Sequence, residues 1–252
     1  MHPHVYTGYV AVAILLAIVF YYGFAGAKLN TLITRQLVDS TRLARRHGRI
    51  EITGVIRLVT AGLLQLIFVL ILSILGVTDW RHLVPRAFHP DLLCYGVLLG
   101  IGEMSLGSFI SNVVMRLVQL VHPVRHSSSK SSWFVAVEGG WMRSFLKTVE
   151  IVPMPFAVSA IILYIAMEEV VFRGVVINAL IPWGQAAAVS ISTVFFVLVQ
   201  AFHMPSWRSA AFPIVSASVM GPLHGSLYVA VPDLAPLIVA HSTMFIIAIR
   251  WR

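Results

Sequence analysis

Glu168, Glu169 and Arg173 are the only Asp, Glu, Lys or Arg side chains between residues 151 and 207. A carboxyl group beside a second one and an arginine, set among apolar residues, suits general-base work, because it can take a proton from a water held next to it. Glu169 and Arg173 are four apart and share a helical face, where they can pair. Glu168 is turned from Glu169 by about 100° at roughly 3.6 residues per turn, so it addresses a different neighbour. An ion-paired seam that fixes helix packing accounts for one Glu–Arg pair but leaves the second glutamate unexplained. Glu168 is therefore the candidate base. Glu103 lies upstream, and His203, His224 and His241 lie downstream, all in apolar stretches. A lone imidazole on an apolar helix either packs through a hydrogen bond or exchanges protons. Ionisable groups at bilayer depth cost about 2.5–3.5 kcal/mol each on insertion scales, so they read as functional. Arg57, close to a helix end, can snorkel and says little.

The elements that must hold these residues follow from composition. Of 252 residues, 58% are hydrophobic and 11% charged, with a mean hydropathy of +0.88. A soluble domain carries about 25% charged residues, and a disordered chain has low hydropathy, so both classes are excluded. Intervals without charge predict seven membrane helices near 5–27, 54–77, 92–115, 151–180, 186–203, 209–231 and 234–250. The expected fold is an all-α polytopic bundle. Residues 1–150 would be N-terminal spans with basic loops, and 151–252 the core that carries the chemistry. Pro182-Trp183-Gly184 supplies the turn of a hairpin that sets about residue 198 opposite Glu168. His203 is then about 7.5 Å away in depth at 1.5 Å per residue. Pro213, Gly221, Pro222 and Pro236 interrupt the last two helices, which a membrane tolerates where protein or a wet cavity satisfies the freed backbone. The first helix lacks a basic leader and reads as an uncleaved span.

The net charge of +8 is a matter of topology, since fourteen of the eighteen Lys and Arg residues fall on one side of the predicted spans. That places the N-terminus outside and the C-terminus in the cytoplasm, with basic loops against an anionic leaflet. The bilayer is the expected partner of these charges, and no nucleic acid is expected. Residues 35–49 read as a loop in preference to an amphipathic surface helix. Residues 127–132 read as a Ser-rich linker and 133–150 as a short interfacial helix. Cys94 is the single cysteine, so no intrachain disulfide can form.

At its charged cluster the sequence resembles the CPBP family of intramembrane proteases, also called the CAAX protease and bacteriocin-processing family. The EExxxR motif is Glu168-Glu169-Val170-Val171-Phe172-Arg173, followed by Gly174. His203 matches the histidine of FxxxH, with Val199 at the Phe position. His241 matches HxxxN/D and is preceded by Gly221-Pro222-Leu223-His224-Gly225-Ser226-Leu227, similar to the family's Gly-rich helix. Phe245 stands where the family has Asn or Asp. The resemblance covers about residues 150–250. It implies an intramembrane glutamic endopeptidase acting on membrane-anchored or hydrophobic-tailed substrates. In that picture Glu168 and His203 activate a water, His241 binds the oxyanion, and Glu169 and Arg173 hold the helix. Ser242 or Gln200 could replace the polar group lost at Phe245, and Glu103 could join the same cavity.

No cofactor is expected. Zinc is a chemical alternative, since one Glu and two His are acceptable ligands, but no HExxH pair puts two histidines on one helical face. Two other functions compete with proteolysis. An inactive relative serving as a membrane immunity or scaffold protein would fit Phe245. A small proton-coupled transporter would use Glu103 and Glu168 as a relay, although no internal repeat supports it.

Overall fold

The computed structural model describes residues 3–41, 48–78, 83, 90–121, 140–202 and 204–250. Among them it is all-helical. The first rod, α1, runs through Pro3–Phe20, a π-helical turn at Tyr21–Ala25 and Gly26–Ser40. Next come α2 (Arg49–Ile74), α3 (Pro90–Val121) and the short α4 (Gly140–Ile151). In α5, Met154–Glu169 is followed by a π-helical stretch, Val170–Ile177, and a last turn at Asn178–Leu180. The chain closes with α6 (Gln185–Phe202), α7 (Trp207–Ala230) and α8 (Ala235–Arg250). Gly8–Ser40, Arg49–Ile74, Pro90–Val118 and Gln185–Phe202 are long and apolar enough to cross a membrane. The others are shorter, hold prolines or carry buried charge. This is a polytopic helical bundle and an integral membrane protein.

Local signals explain the boundaries. Pro153 and Pro155 start α5, where a missing N–H costs nothing. Pro182 sits in a 3-10 turn, and Gly184, at φ +104°, makes the left-handed step into α6 that a Cβ would resist. Ser206 and Ser209 form a reciprocal cap at the start of α7. Two expectations need adjusting. The first helix does not end near residue 27 but continues to Ser40, so Lys28 and Arg35 lie on a helix and the loop begins later. The short helix expected from residue 133 is described from Gly140, and it buries Met142, Phe145 and Leu146.

In a bilayer, water does not drive helices together, so close backbone approach matters. Gly96, Gly100 and Gly107 lie on one face of α3. A Cβ on Gly96 would stand 2.5 Å from the Pro236 carbonyl oxygen, and one on Gly100 would collide with the Ala240 carbonyl oxygen. These two contacts advance together, so α3 and α8 run parallel. A Cβ on Gly107 would stand 2.8 Å from Ser216 Oγ of α7, which runs antiparallel to α3, since Glu103 meets His224. On α7 itself, Gly221 and Gly225 press against Thr193 and Val189 of α6. One apolar core includes Ile14, Leu58 and Met104 together with Ile161, Phe196 and Phe245, so helices from both sides of residue 150 share it.

Gly100→Ala is expected to destabilise the protein by about 1–3 kcal/mol, the usual cost of overpacking. Gly102→Ala, where the added carbon meets nothing within 4 Å, should be neutral or slightly stabilising. Thermal unfolding of both variants in detergent checks the pair. Equal midpoints would show that the α3–α8 approach is not tight.

Candidate active site

Glu168 and Glu169 end the α-helical part of α5, and the widened π turn follows at once. Such turns change which residues face a neighbour and gather at functional sites. Polar side chains take up the carbonyls that the change of register frees. Ser192 Oγ of α6 donates to the Phe172 carbonyl at 2.7 Å, and Asn178 Nδ2 donates to that of Gly174 at 2.7 Å. Asn178 also donates to the Tyr228 hydroxyl at 2.8 Å, which ties α5 to α7.

Glu169 is the hub of the site. It is 0% exposed. Its Oε1 lies 2.8 Å from His241 Nδ1, and its Oε2 lies 3.2 Å from His224 Nδ1 and 3.3 Å from Arg173 Nε. The Arg173 guanidinium, equally buried, lies over the Phe196 ring at 4.6 Å. Its two terminal nitrogens have no hydrogen-bond partner among the described residues. The far side of His224 meets α3, with Nε2 at 3.0 Å from Glu103 Oε1. A continuous chain of Glu103, His224, Glu169 and His241 therefore crosses from α3 through α7 and α5 to α8.

Glu168 faces elsewhere, as the 100° turn between neighbours requires. It accepts from Gln200 Nε2 of α6 at 3.4 Å and shares a hydrogen bond with the Tyr164 hydroxyl one turn earlier. Each of its two partners lines a cavity, Tyr164 one and Gln200 the other. One, of about 70 Å³, is lined by Tyr22, Asn30, Arg57, Gln65, Ser144 and Tyr164 among others. The other, of about 20 Å³, lies between α6, α7 and α8 against Gln200, Ser216, His241 and Phe245. A space of that size holds one water, provided that polar groups face it. Ser216 Oγ is buried there and has no partner among the described residues; Ser242 Oγ, which does not line that cavity, is also buried without one.

The expected site residues thus fall into two groups. Glu169, Arg173, His241 and Glu103 are brought into one network, and Glu168 and Gln200 into an adjoining pair. His203 lies outside the described residues. His224 stands at the centre of the network, although the sequence reading assigned it no role. Its position among polar groups of the last three helices was visible, but its partner Glu103 is 121 residues away and no local pattern announces it. Phe245, buried, packs against His241 at 5.4 Å between ring centroids and stacks on Phe145 of α4 at 4.9 Å. Among the described residues no three His, Cys, Asp or Glu side chains are arranged around a common metal position. Both imidazoles point Nδ1 at Glu169 instead.

Residues 150–247 match the family model of Rce1-like type II CAAX prenyl endopeptidases. The resemblance to the CPBP family is borne out over that stretch, and the match supports an intramembrane endopeptidase in general. No curated protein and no solved structure matches the chain.

Arg173→Met leaves the Glu169 carboxylate short of its counter-charge and should destabilise by about 3–5 kcal/mol, as breaking buried pairs does. Glu169→Gln/Arg173→Met removes both charges and should recover most of that loss in detergent unfolding experiments. Strict additivity of the two single variants would show that the pair is not coupled.

Proposed function

We propose that the protein hydrolyses a peptide bond of a membrane-anchored, hydrophobic-tailed substrate, using a water activated by Glu168 and oriented by His241, without a resident metal. The observation that carries this reading is the one-water cavity bordered by Gln200, the partner of Glu168, and by the His241 ring. His241 donates through Nδ1 to Glu169, which leaves Nε2 as an acceptor on the cavity side. A water there can direct one O–H to Glu168 and the other to Nε2, so that its lone pair faces an incoming carbonyl carbon. Glu168 takes the proton as the C–O bond forms. Collapse of the tetrahedral adduct breaks the C–N bond, and the proton passes from Glu168 to the departing amine. This gives His241 a water-holding role, where the resemblance implied an oxyanion-binding one.

The oxyanion needs a donor, and the ring of Phe245 has none to offer. Ser216 Oγ, unpartnered among the described residues and lining the same cavity, can donate. Loss of such a donor costs a factor of about 10²–10³, so Ser216→Ala should lower kcat in that range. For the tail, an apolar groove of about 310 Å³ lies between α1 and α6 along Ile18, Val19, Phe195, Leu198 and Phe202, with Tyr22 in its wall. Tyr22 also borders the cavity lined by Tyr164, a partner of Glu168. A substrate lying across Tyr22 would have its tail in the groove and its peptide at the carboxyl group. With the N-terminus outside and the basic loops in the cytoplasm, the orientation expected from charge, that peptide would be reached from the cytoplasmic side.

A second reading rests on Phe245, an apolar side chain packed against His241 where the family has a polar one. A non-hydrolytic membrane partner would tolerate it.

In a processing assay with purified protein in liposomes, Glu168→Gln and His241→Ala should each lower kcat by about 10²–10⁴, the range of general-base effects. A zinc chelator should leave the wild-type rate unchanged. Wild-type rates in both variants would overturn the hydrolase reading, and an inert wild type would favour the second one. Gly23, with nothing within 4 Å of a built Cβ, lines the groove. Gly23→Leu should raise KM several-fold for a tailed peptide and leave KM for the untailed peptide unchanged.

A further inference from the structure

Helix α3 lies before the matched stretch, yet it is pressed into the site. Gly96, Gly100, Glu103 and Gly107 are spaced by four, three and four residues, which is one helical face. The glycines meet α8 and α7 at backbone distance, and Glu103, 2% exposed, is delivered between them to His224. His224 is itself 0% exposed. One ring nitrogen faces Glu103 at 3.0 Å and the other faces Glu169 at 3.2 Å. An ionised carboxylate only accepts hydrogen bonds, so a ring with a carboxylate at each nitrogen is held with both nitrogens protonated: Nε2 hydrogen-bonds Glu103, and Nδ1 is in ion-pair contact with Glu169. Glu103 and Glu169 then balance Arg173 and a doubly protonated His224, and the buried quartet carries no net charge.

We infer that Glu103 is a positioning residue for the site, holding His224 as a doubly protonated clamp on Glu169. This deepens the hydrolase reading and rests on it for its kinetic consequence. With Oε2 of Glu169 already engaged by His224 and Arg173, only Oε1 is left for His241. It accepts from Nδ1 and fixes the ring with Nε2 bare toward the cavity. Remove the charge of Glu103, and His224 keeps only the proton it gives to Glu169. Glu169 is then less neutralised and draws a second proton onto His241. That proton occupies Nε2 and displaces the water's acceptor.

The test is nitrogen NMR of the full-length protein in detergent at pH 7, with 15N-labelled histidine. In the wild type, His224 should show both ring nitrogens protonated and His241 only Nδ1. In Glu103→Gln, whose amide can donate to the vacated Nε2, His224 should be singly protonated and His241 should gain Nε2–H. Here kcat should fall about tenfold with KM unchanged. A singly protonated His224 in the wild type would overturn the proposal, and so would unchanged histidine spectra in Glu103→Gln. The spectra decide the clamp without any turnover, so an inert wild type with the expected spectra counts against the hydrolase reading alone.

Discussion

The structure depends on keeping one carboxylate charged in a place that excludes water. Moving an ion of this kind out of water costs several kcal/mol even after the surroundings relax. Glu169 has no exposed surface, so partners must replace its hydration shell. Arg173 comes from the next turn of the same helix, His224 from α7 and His241 from α8. Each partner requires another: Arg173 rests on Phe196 of α6, and His224 on Glu103 of α3. Satisfying one buried charge thus fixes the mutual placement of five helices. This is a strong constraint in a bilayer, where burial of apolar surface gives helices no preference for one neighbour over another.

Charge alone would not bring the groups within reach, and the small residues supply the rest. Salt-bridge contacts of 3 Å between side chains as short as Glu and His need helix axes that lie close. Gly96, Gly100 and Gly107 allow that against α8 and α7, and Gly221 and Gly225 allow it against α6. The two π-helical segments serve a related end. They occur at Tyr21–Ala25 and Val170–Ile177, and meet where Tyr22 packs on Phe172 at 5.7 Å between ring centroids. An added residue in a turn costs a backbone hydrogen bond, which is acceptable only where a side chain replaces it, as Ser192 does at Phe172.

Much of this was legible in the sequence, where a local rule governs. Charge-free runs marked the helices, Pro182-Trp183-Gly184 marked the hairpin turn, and the angle between successive residues separated Glu168 from Glu169. The hairpin estimate placed residue 198 opposite Glu168, and the observed partner is Gln200, one half-turn further. The two-residue difference is about 3 Å of rise at 1.5 Å per residue, within the reach of a glutamine side chain, and the π turn itself leaves no trace in hydropathy. The first helix ran past its expected end for a similar reason. Lys28 and Arg35 break an apolar run without breaking a helix, because composition reports the environment and not the backbone. The pairing of Glu103 with His224 was beyond such reasoning. Each residue alone is one polar group on an apolar helix, and only tertiary packing tells a relay from two isolated hydrogen bonds.

The two partners of Glu168 face different environments, Tyr164 in one cavity and Gln200 in the other, and the difference matters for chemistry in a membrane. On one side Tyr22, Asn30, Arg57, Gln65 and Ser144 border a polar space of about 70 Å³, large enough for more than one water. On the other side the space beside Gln200 and His241 is about 20 Å³ and mostly apolar in its walls, with Phe196, Phe212, Met220 and Phe245 around it. In such walls the effective dielectric is low, and each remaining polar contact is stronger than it would be in water. A single water there would have few partners to choose from, and those partners would fix its orientation. Phe245 then has a physical part to play. Stacked on Phe145 and packed on His241, it closes the space to further water and restricts the ring. The same ring removes a donor that a polar residue would have provided. Dryness and donor supply therefore pull in opposite directions at this position. Buried hydroxyls such as Ser216, left unpartnered among the described residues, are the means by which this chain can have both.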